Sequence, residues 1–263
     1  MDACHYLDRI GVDPDGVAVD HESLGRLQRA HVEAVPFENL SIVGDPVGAE
    51  RGDGVTLDPD ALYEKVVARE RGGYCFELNG LFHGLLRAVG FRAERVAACV
   101  LDEDGSVGTP ANHHTNLVDL DRRYIVDVGL AVPPLRRPLP LDGEVRTDAA
   151  GTGWRVVESE RPDADYLTQC REPGGEWTDR YVLRDRPREL SYFRASCDYL
   201  STAPESPFTG DPVVTVATPD GYKKLGRETL TTTSGAETSE REVAEDEWHD
   251  VLEAEFGVRV DGG

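Results

Sequence analysis

The hydrophobic period of this 263-residue chain changes near residue 90, and that change limits what it can fold into. Up to that point apolar residues recur at helical spacing. Leu24, Leu27, Ala30 and Ala34 follow Ser23, which reads as an N-cap, and Pro36 closes the segment. Asp58-Pro59 opens a second helix as cap and first residue, leading into Leu62, Val66 and Val67, and the double glycine Gly72-Gly73 stops it. A third helix starts at Cys75 and carries Leu78, Phe82, Leu85, Leu86 and Val89 on one face until Gly90. From residue 91 the period is two. Strand-like runs at Arg92–Leu101, His114–Leu120, Arg123–Val128, Trp154–Glu158 and Arg180–Leu183, parted by Gly, Pro and Asp clusters, predict a small antiparallel sheet or barrel. Pro133, Pro134, Pro138 and Pro140 make an extended connection. Val213–Ala217 and Lys224–Thr233 read as a hairpin, the polar stretch Thr231–Glu240 as a mobile loop, and Val243, Trp248, Val251, Leu252 and Phe256 as a closing helix. The chain thus divides into a helical unit, a β-rich unit and a small α/β end piece.

Charge narrows the function classes. Asp and Glu outnumber Lys and Arg by 50 to 28, and a net charge of −22 repels nucleic acid and anionic membranes. Lys65, Lys223 and Lys224 are the only lysines, so Arg supplies nearly all the positive charge. An acidic surface almost without Lys predicts adaptation to a high-salt cytoplasm, since at molar salt the Debye length falls to about 3 Å and self-repulsion is screened. The cysteines Cys4, Cys75, Cys99, Cys170 and Cys197 are odd in number and widely spaced, which argues against a disulfide framework or a zinc site. The start lacks the basic and apolar regions of a signal peptide, and no apolar stretch approaches the roughly 18 residues of a membrane span. A cytoplasmic, reducing location follows as the expectation, and a free thiol is admissible there.

The segment Arg71-Gly72-Gly73-Tyr74-Cys75-Phe76-Glu77-Leu78-Asn79 carries the chemistry. Two glycines allow a sharp turn, and the cysteine follows at a helix start, where the dipole and unpaired N–H groups favour an anion and should lower the thiol pKa. The same N–H groups suit the oxygen of a tetrahedral intermediate. A cysteine nucleophile needs a base, and the base an orienting group. Histidine at the head of one strand (His113 or His114) and Asp127 near the end of the next supply both, if the short turn at Asp121-Arg122 makes the strands a hairpin. His114 shares a face with Asn116, Val118 and Leu120, and His113 with Thr115, Leu117 and Asp119; alternation alone leaves both open. His5, His31, His83, Cys99, Cys170 and Cys197 read as structural residues, and the acidic run Glu240–Asp250 as a solvated face.

These segments resemble the arylamine N-acetyltransferase family. Its RGG-x-C-x-E-x-N signature is matched by Arg71, Gly72, Gly73, Cys75, Glu77 and Asn79, and its VPFENL segment by Val35 to Leu40. His113…Val118, the run Tyr124 to Gly129, and Asp198 to Phe208 are similar to further family segments in the same order. The resemblance implies an α+β fold with an N-terminal helical domain (1–90), a central antiparallel β-barrel (91–200) and a C-terminal α/β lid (201–263). It implies a Cys75, His113, Asp127 triad, with Arg71 and Glu38 as a supporting ion pair. It further implies that Phe37 lines the acceptor pocket, that Gly129 and Leu130 belong to the substrate- or CoA-binding set, and that Thr202, Ser206 and Phe208 approach CoA. Acetyl-CoA is the implied co-substrate and an arylamine or hydrazine the acceptor, with no metal and no permanently bound cofactor. Where the family usually continues DVGFG, this chain has Asp127-Val128-Gly129-Leu130-Ala131, which removes an aromatic contact and adds a methyl. A thiol hydrolase or amide synthase on the same scaffold, and a non-catalytic binding protein, are the competing readings.

Overall fold

The computed structural model describes residues 1–48, 52–102 and 104–260. Helices α1 (Ala3–Arg9), α2 (His21–Ala34) and α3 (Leu40–Val43), with the two-residue strand β1 (Phe37–Glu38) between the last two, open the chain. Asp20, not Ser23, caps α2, its carboxylate accepting from Ser23 N at 2.8 Å. An acceptor three residues ahead of the N–H it satisfies is the ordinary capping geometry. Helix α4 (Pro59–Tyr63) begins where Asp58-Pro59 predicts and runs into a π-turn, Glu64–Ala68, which ends at Arg69 before the glycines. Its left-handed residue is Glu70 (φ 52°). Helix α5 (Cys75–Ala88) follows, buried over most of its length.

The β-rich part is an eight-stranded antiparallel sheet built from β2 (Arg92–Val100), β3 (His113–Asp119), β4 (Arg123–Val126), β5 (Leu139–Pro140), β6 (Arg146–Thr147), β7 (Gly153–Glu158), β8 (Tyr166–Arg171) and β9 (Thr178–Pro187), in the order β5-β4-β3-β2-β9-β8-β7-β6. The sheet curls towards closure, bringing β5 near β7. Helix α6 (Arg194–Thr202) follows. Then β10 (Val214–Thr218), β11 (Gly221–Leu225), β12 (Thr229–Ser234) and β13 (Glu237–Glu242) form a meander, with β1 paired to β10, and α7 (Trp248–Phe256) closes over it. The expected mobile loop Thr231–Glu240 is thus a hairpin. Its Thr residues favour strand, and its six outer residues, all exposed, blunt the sheet's edge with charge.

Three apolar clusters underlie this arrangement. One gathers α1, α2, α4, α5 and the outer face of β3 and β4; a second fills the curled sheet around Trp154 and Tyr181; a third lies under α7 around Trp248. Phe193, Cys197 and Leu200, which sequence assigns to the barrel, pack in the helical cluster. No described helix is long and apolar enough to cross a membrane.

The exposed acidic edge of β13 and the turn Glu245–Glu247 put like charges side by side. Raising KCl from about 0.1 M to about 2 M, which shortens the screening length several-fold, is expected to raise the melting temperature by several degrees. A melting temperature that is flat or falls with KCl contradicts the high-salt reading.

Candidate functional site

Cys75 is the first residue of α5 and is buried beneath a cleft of about 630 Å³. Its helix start is fixed from three sides. Glu77 reaches back to accept from Tyr74 N at 3.1 Å, half of a capping box. Lys65, delivered inward by the π-turn, donates to both oxygens of Glu77 at 2.9 and 3.0 Å and lies 3.7 Å from Glu38. Arg71 donates to Glu38 at 3.1 Å, and Glu38 accepts from Leu40 N at 2.6 Å. Two cations and two carboxylates therefore share one buried site. Burial alone would raise Glu38, but Lys65 and Arg71 outweigh it and hold the carboxylate below its usual value. The Arg71–Glu38 pair implied by resemblance is present; Lys65 and Glu77 extend it. Gly72 and Gly73 are not left-handed. Glycine is needed there for close approach, since a Cβ at Gly72 would run into the Pro36 carbonyl.

The β3–β4 hairpin pairs Asn116 with Val126, so its open end brings Asp127 back beside His113. His113 Nε2 donates to Asp127 Oδ2 at 2.7 Å. The other oxygen, Oδ1, accepts from Asn79 Nδ2 at 2.8 Å and from Gly129 N at 2.9 Å. Burial alone would raise this carboxylate, but His113 and these donors outweigh it and hold it below its ordinary value. Asn79 also accepts from Val128 N at 2.9 Å and donates to His114 O at 2.7 Å, tying α5 to β3 and to the segment after β4. From α2, Gln28 donates to the main-chain oxygens of Asp127 (3.2 Å) and Leu135 (2.8 Å).

The two histidines part company. His113 lines the cleft with Cys75, whose Sγ lies 4.0 Å from the carbonyl oxygen of Asn112. His114 stacks on Phe193 at 4.7 Å and donates to Phe76 O at 3.2 Å on the helical side. Burial, aided by Arg95 and His113, keeps His114 neutral, far below its ordinary pKa. His83 bonds Asn116 at 3.0 Å and is lowered to about 4 by burial; His31 bonds Tyr6 at 3.1 Å and is lowered to about 3 by the same cause.

The thiol departs from expectation. Burial, then the neighbouring Cys197 and Asp127, push Cys75 up; the hydrogen bond from Phe76 N works in the opposite direction and loses. A helix start lowers a thiol pKa only where desolvation does not dominate.

Phe37, Gly129, Leu130, Ser206 and Phe208 all line the cleft. Thr202 does not: it sits exposed at the end of α6 with its hydroxyl turned back onto Asp198 O at 2.6 Å, satisfying a helix-end carbonyl. Ser206 donates to Leu200 O at 2.5 Å, and Phe208 packs on Tyr74 with ring centroids 5.5 Å apart. Asn39 pins the segment that follows, donating to Phe208 O and Asp211 O at 3.0 Å each and accepting from Val213 N at 2.7 Å. Asn112, Arg180 and Tyr199 line the cleft without having been flagged by sequence.

A Cβ on Gly129 would lie 2.6 Å from Asn79 Nδ2 and 2.9 Å from Cys75 Cα. Gly129→Ala is therefore expected to cost about 1–3 kcal/mol of stability and to slow alkylation of Cys75 by iodoacetamide. Denaturant unfolding and peptide mass spectrometry check this; unchanged values in both refute the close approach.

Comparison with known proteins finds relatives over most of the chain. The N-acetyltransferase family model matches residues 20–263. The arylamine N-acetyltransferase of Mycolicibacterium smegmatis is 33% identical over 245 residues, covering 90% of this chain and 84% of the relative. Proansamycin X synthase of Amycolatopsis mediterranei is 34% identical over 188 residues, covering 71% and 68%. The solved structure of Mycobacterium marinum arylamine N-acetyltransferase in complex with CoA superposes with a TM-score of 0.82 at 28% identity, covering 98% of this chain and 93% of that one.

Proposed function

The chain belongs to the arylamine N-acetyltransferase family and is an acetyltransferase, and from that premise we propose that Cys75 carries the acetyl group as a thioester between acetyl-CoA and an arylamine or hydrazine. The observation that supports the route is the 2.7 Å bond from His113 Nε2 to Asp127 Oδ2 at the edge of the cleft above Cys75. An ionised carboxylate only accepts, so Nε2 carries the proton and Nδ1 is left as the basic nitrogen.

Nδ1 takes the proton from Cys75 Sγ, and the sulfur attacks the thioester carbonyl of acetyl-CoA. The tetrahedral oxyanion is met by main-chain N–H groups at the start of α5. Collapse breaks the bond to the CoA sulfur, which leaves with the proton from His113. An amine then attacks the Cys75 thioester, His113 accepts its proton, and Sγ leaves as the amide forms. A covalent intermediate divides one acyl transfer into two easier steps. Because burial opposes a lone thiolate at Cys75, sulfur ionises as half of a thiolate–imidazolium pair, with the Asp127 charge offsetting the imidazolium. That the M. marinum enzyme has been solved in complex with CoA supports acetyl-CoA as the donor.

Wild-type protein incubated with acetyl-CoA is expected to gain one acetyl group on the Cys75 peptide, and Cys75→Ser none. Asp127→Asn keeps the volume but turns a donor towards the imidazole, and kcat/KM should fall on the order of 10³–10⁴-fold. Equal acetylation of the Ser variant sinks the thioester route. CoA release at the same rate with and without arylamine would make the enzyme a hydrolase instead.

A further inference from the structure

Arg180 stands out among the residues lining the cleft. It comes from β9, and among the described lining residues it is the one Arg or Lys, set in a wall that also carries Asp102 and Glu205. One guanidinium nitrogen, Nη2, donates to Val132 O at 2.8 Å and so fastens the side chain to the segment that follows Leu130-Ala131. Its Nε is buried and has no hydrogen-bond partner among the described residues. A guanidinium presents five donors in a planar fork matched to two oxygens of a carboxylate or phosphate. A buried donor with nothing to bond is costly, and an incoming acceptor relieves that cost.

The chain's overall charge makes the placement more telling. At −22 the molecule repels anionic substrates at long range. At molar salt that field is screened within a few Å, about 3 Å at 1 M, while contact pairs inside a cleft persist. A cation already at the cleft wall can then still hold an anionic group at contact distance.

We propose that Arg180 is the specificity residue that receives an anionic group, phosphate or carboxylate, of a substrate entering the cleft. The proposal rests on the acetyl-transfer reading and deepens it. Two sources supply such a group: the phosphates of CoA, or a carboxylate on the aryl amine.

The two half-reactions separate the sources. In the first, Cys75 is acetylated by acetyl-CoA or by the neutral donor p-nitrophenyl acetate. In the second, acetyl-enzyme is discharged by 4-aminobenzoate or by neutral aniline. For Arg180→Gln the second-order rate with an anionic partner is expected to fall at least about tenfold more than with its neutral counterpart, and Arg180→Lys should recover part of it. A loss in the first pair assigns the phosphates; a loss in the second assigns the acceptor carboxylate. Equal changes within each pair make Arg180 a structural residue and overturn the proposal. Calorimetric binding of CoA against pantetheine, and of 4-aminobenzoate against aniline, reads the same preference without turnover. If Cys75 takes acetyl from neither donor, the function reading fails, while the binding ratios still decide on Arg180.

Discussion

The carboxylate of Asp127 is the point on which the site depends. It is fully buried, and a buried charge persists only where its lone pairs are taken up. Three elements meet to do so: β3 through His113, α5 through Asn79 and the segment after β4 through Gly129 N, while α2 holds the Asp127 main-chain carbonyl through Gln28. The helical and β-rich parts of the chain are thereby tied together beside Cys75 and His113. Asn79, four residues along α5 from Cys75, lies about one turn further along the helix.

The second constraint is desolvation. The same burial that orders Asp127 raises the Cys75 thiol and keeps His31, His83 and His114 uncharged. Among the buried histidines only the cleft one has a carboxylate behind it; His249, at the surface, pairs with Asp45 at 3.0 Å. On the proposed route, proton transfer from sulfur to His113 leaves a charge arrangement, negative-positive-negative, that no other buried histidine offers. The Lys65, Glu77, Glu38 and Arg71 cluster plays a different part: it clamps the helix start from behind and does not reach the cleft lining. Lys65 is the buried one among only three lysines, in a chain that otherwise uses Arg.

Much of this was legible in sequence, for identifiable reasons. The change of period marked the α-to-β transition, Asp58-Pro59 marked α4, and the hairpin argument brought Asp127 back to His113. Short-range signals failed where a neighbour did the same job: Asp20 caps α2 in place of Ser23. They failed again where pairing overrode composition, as in β13, whose glutamates suggest a loop until β12 pairs with it. Strand β8 (Tyr166–Arg171) escaped notice because its polar residues blur the alternation. Gly72 and Gly73 proved necessary for proximity, a property of the fold and not of their own torsions. Lys65, Asn39 and Arg180 owe their roles to partners 12 to 174 residues away or to position on the cleft wall. Thr202 shows the reverse, a residue carried over by resemblance whose hydroxyl is spent on its own helix.

The pH dependence of iodoacetamide alkylation at Cys75, followed on its peptide in wild type and in His113→Gln, tests the shared proton directly. The account predicts fast alkylation near neutral pH in wild type. In the variant it predicts a loss of about 100-fold or more at that pH, with reactivity returning only above the ordinary thiol range, as burial dictates. Matching profiles for the two proteins would mean that Cys75 ionises without the imidazole, and the coupling of sulfur to His113 and Asp127 would be wrong.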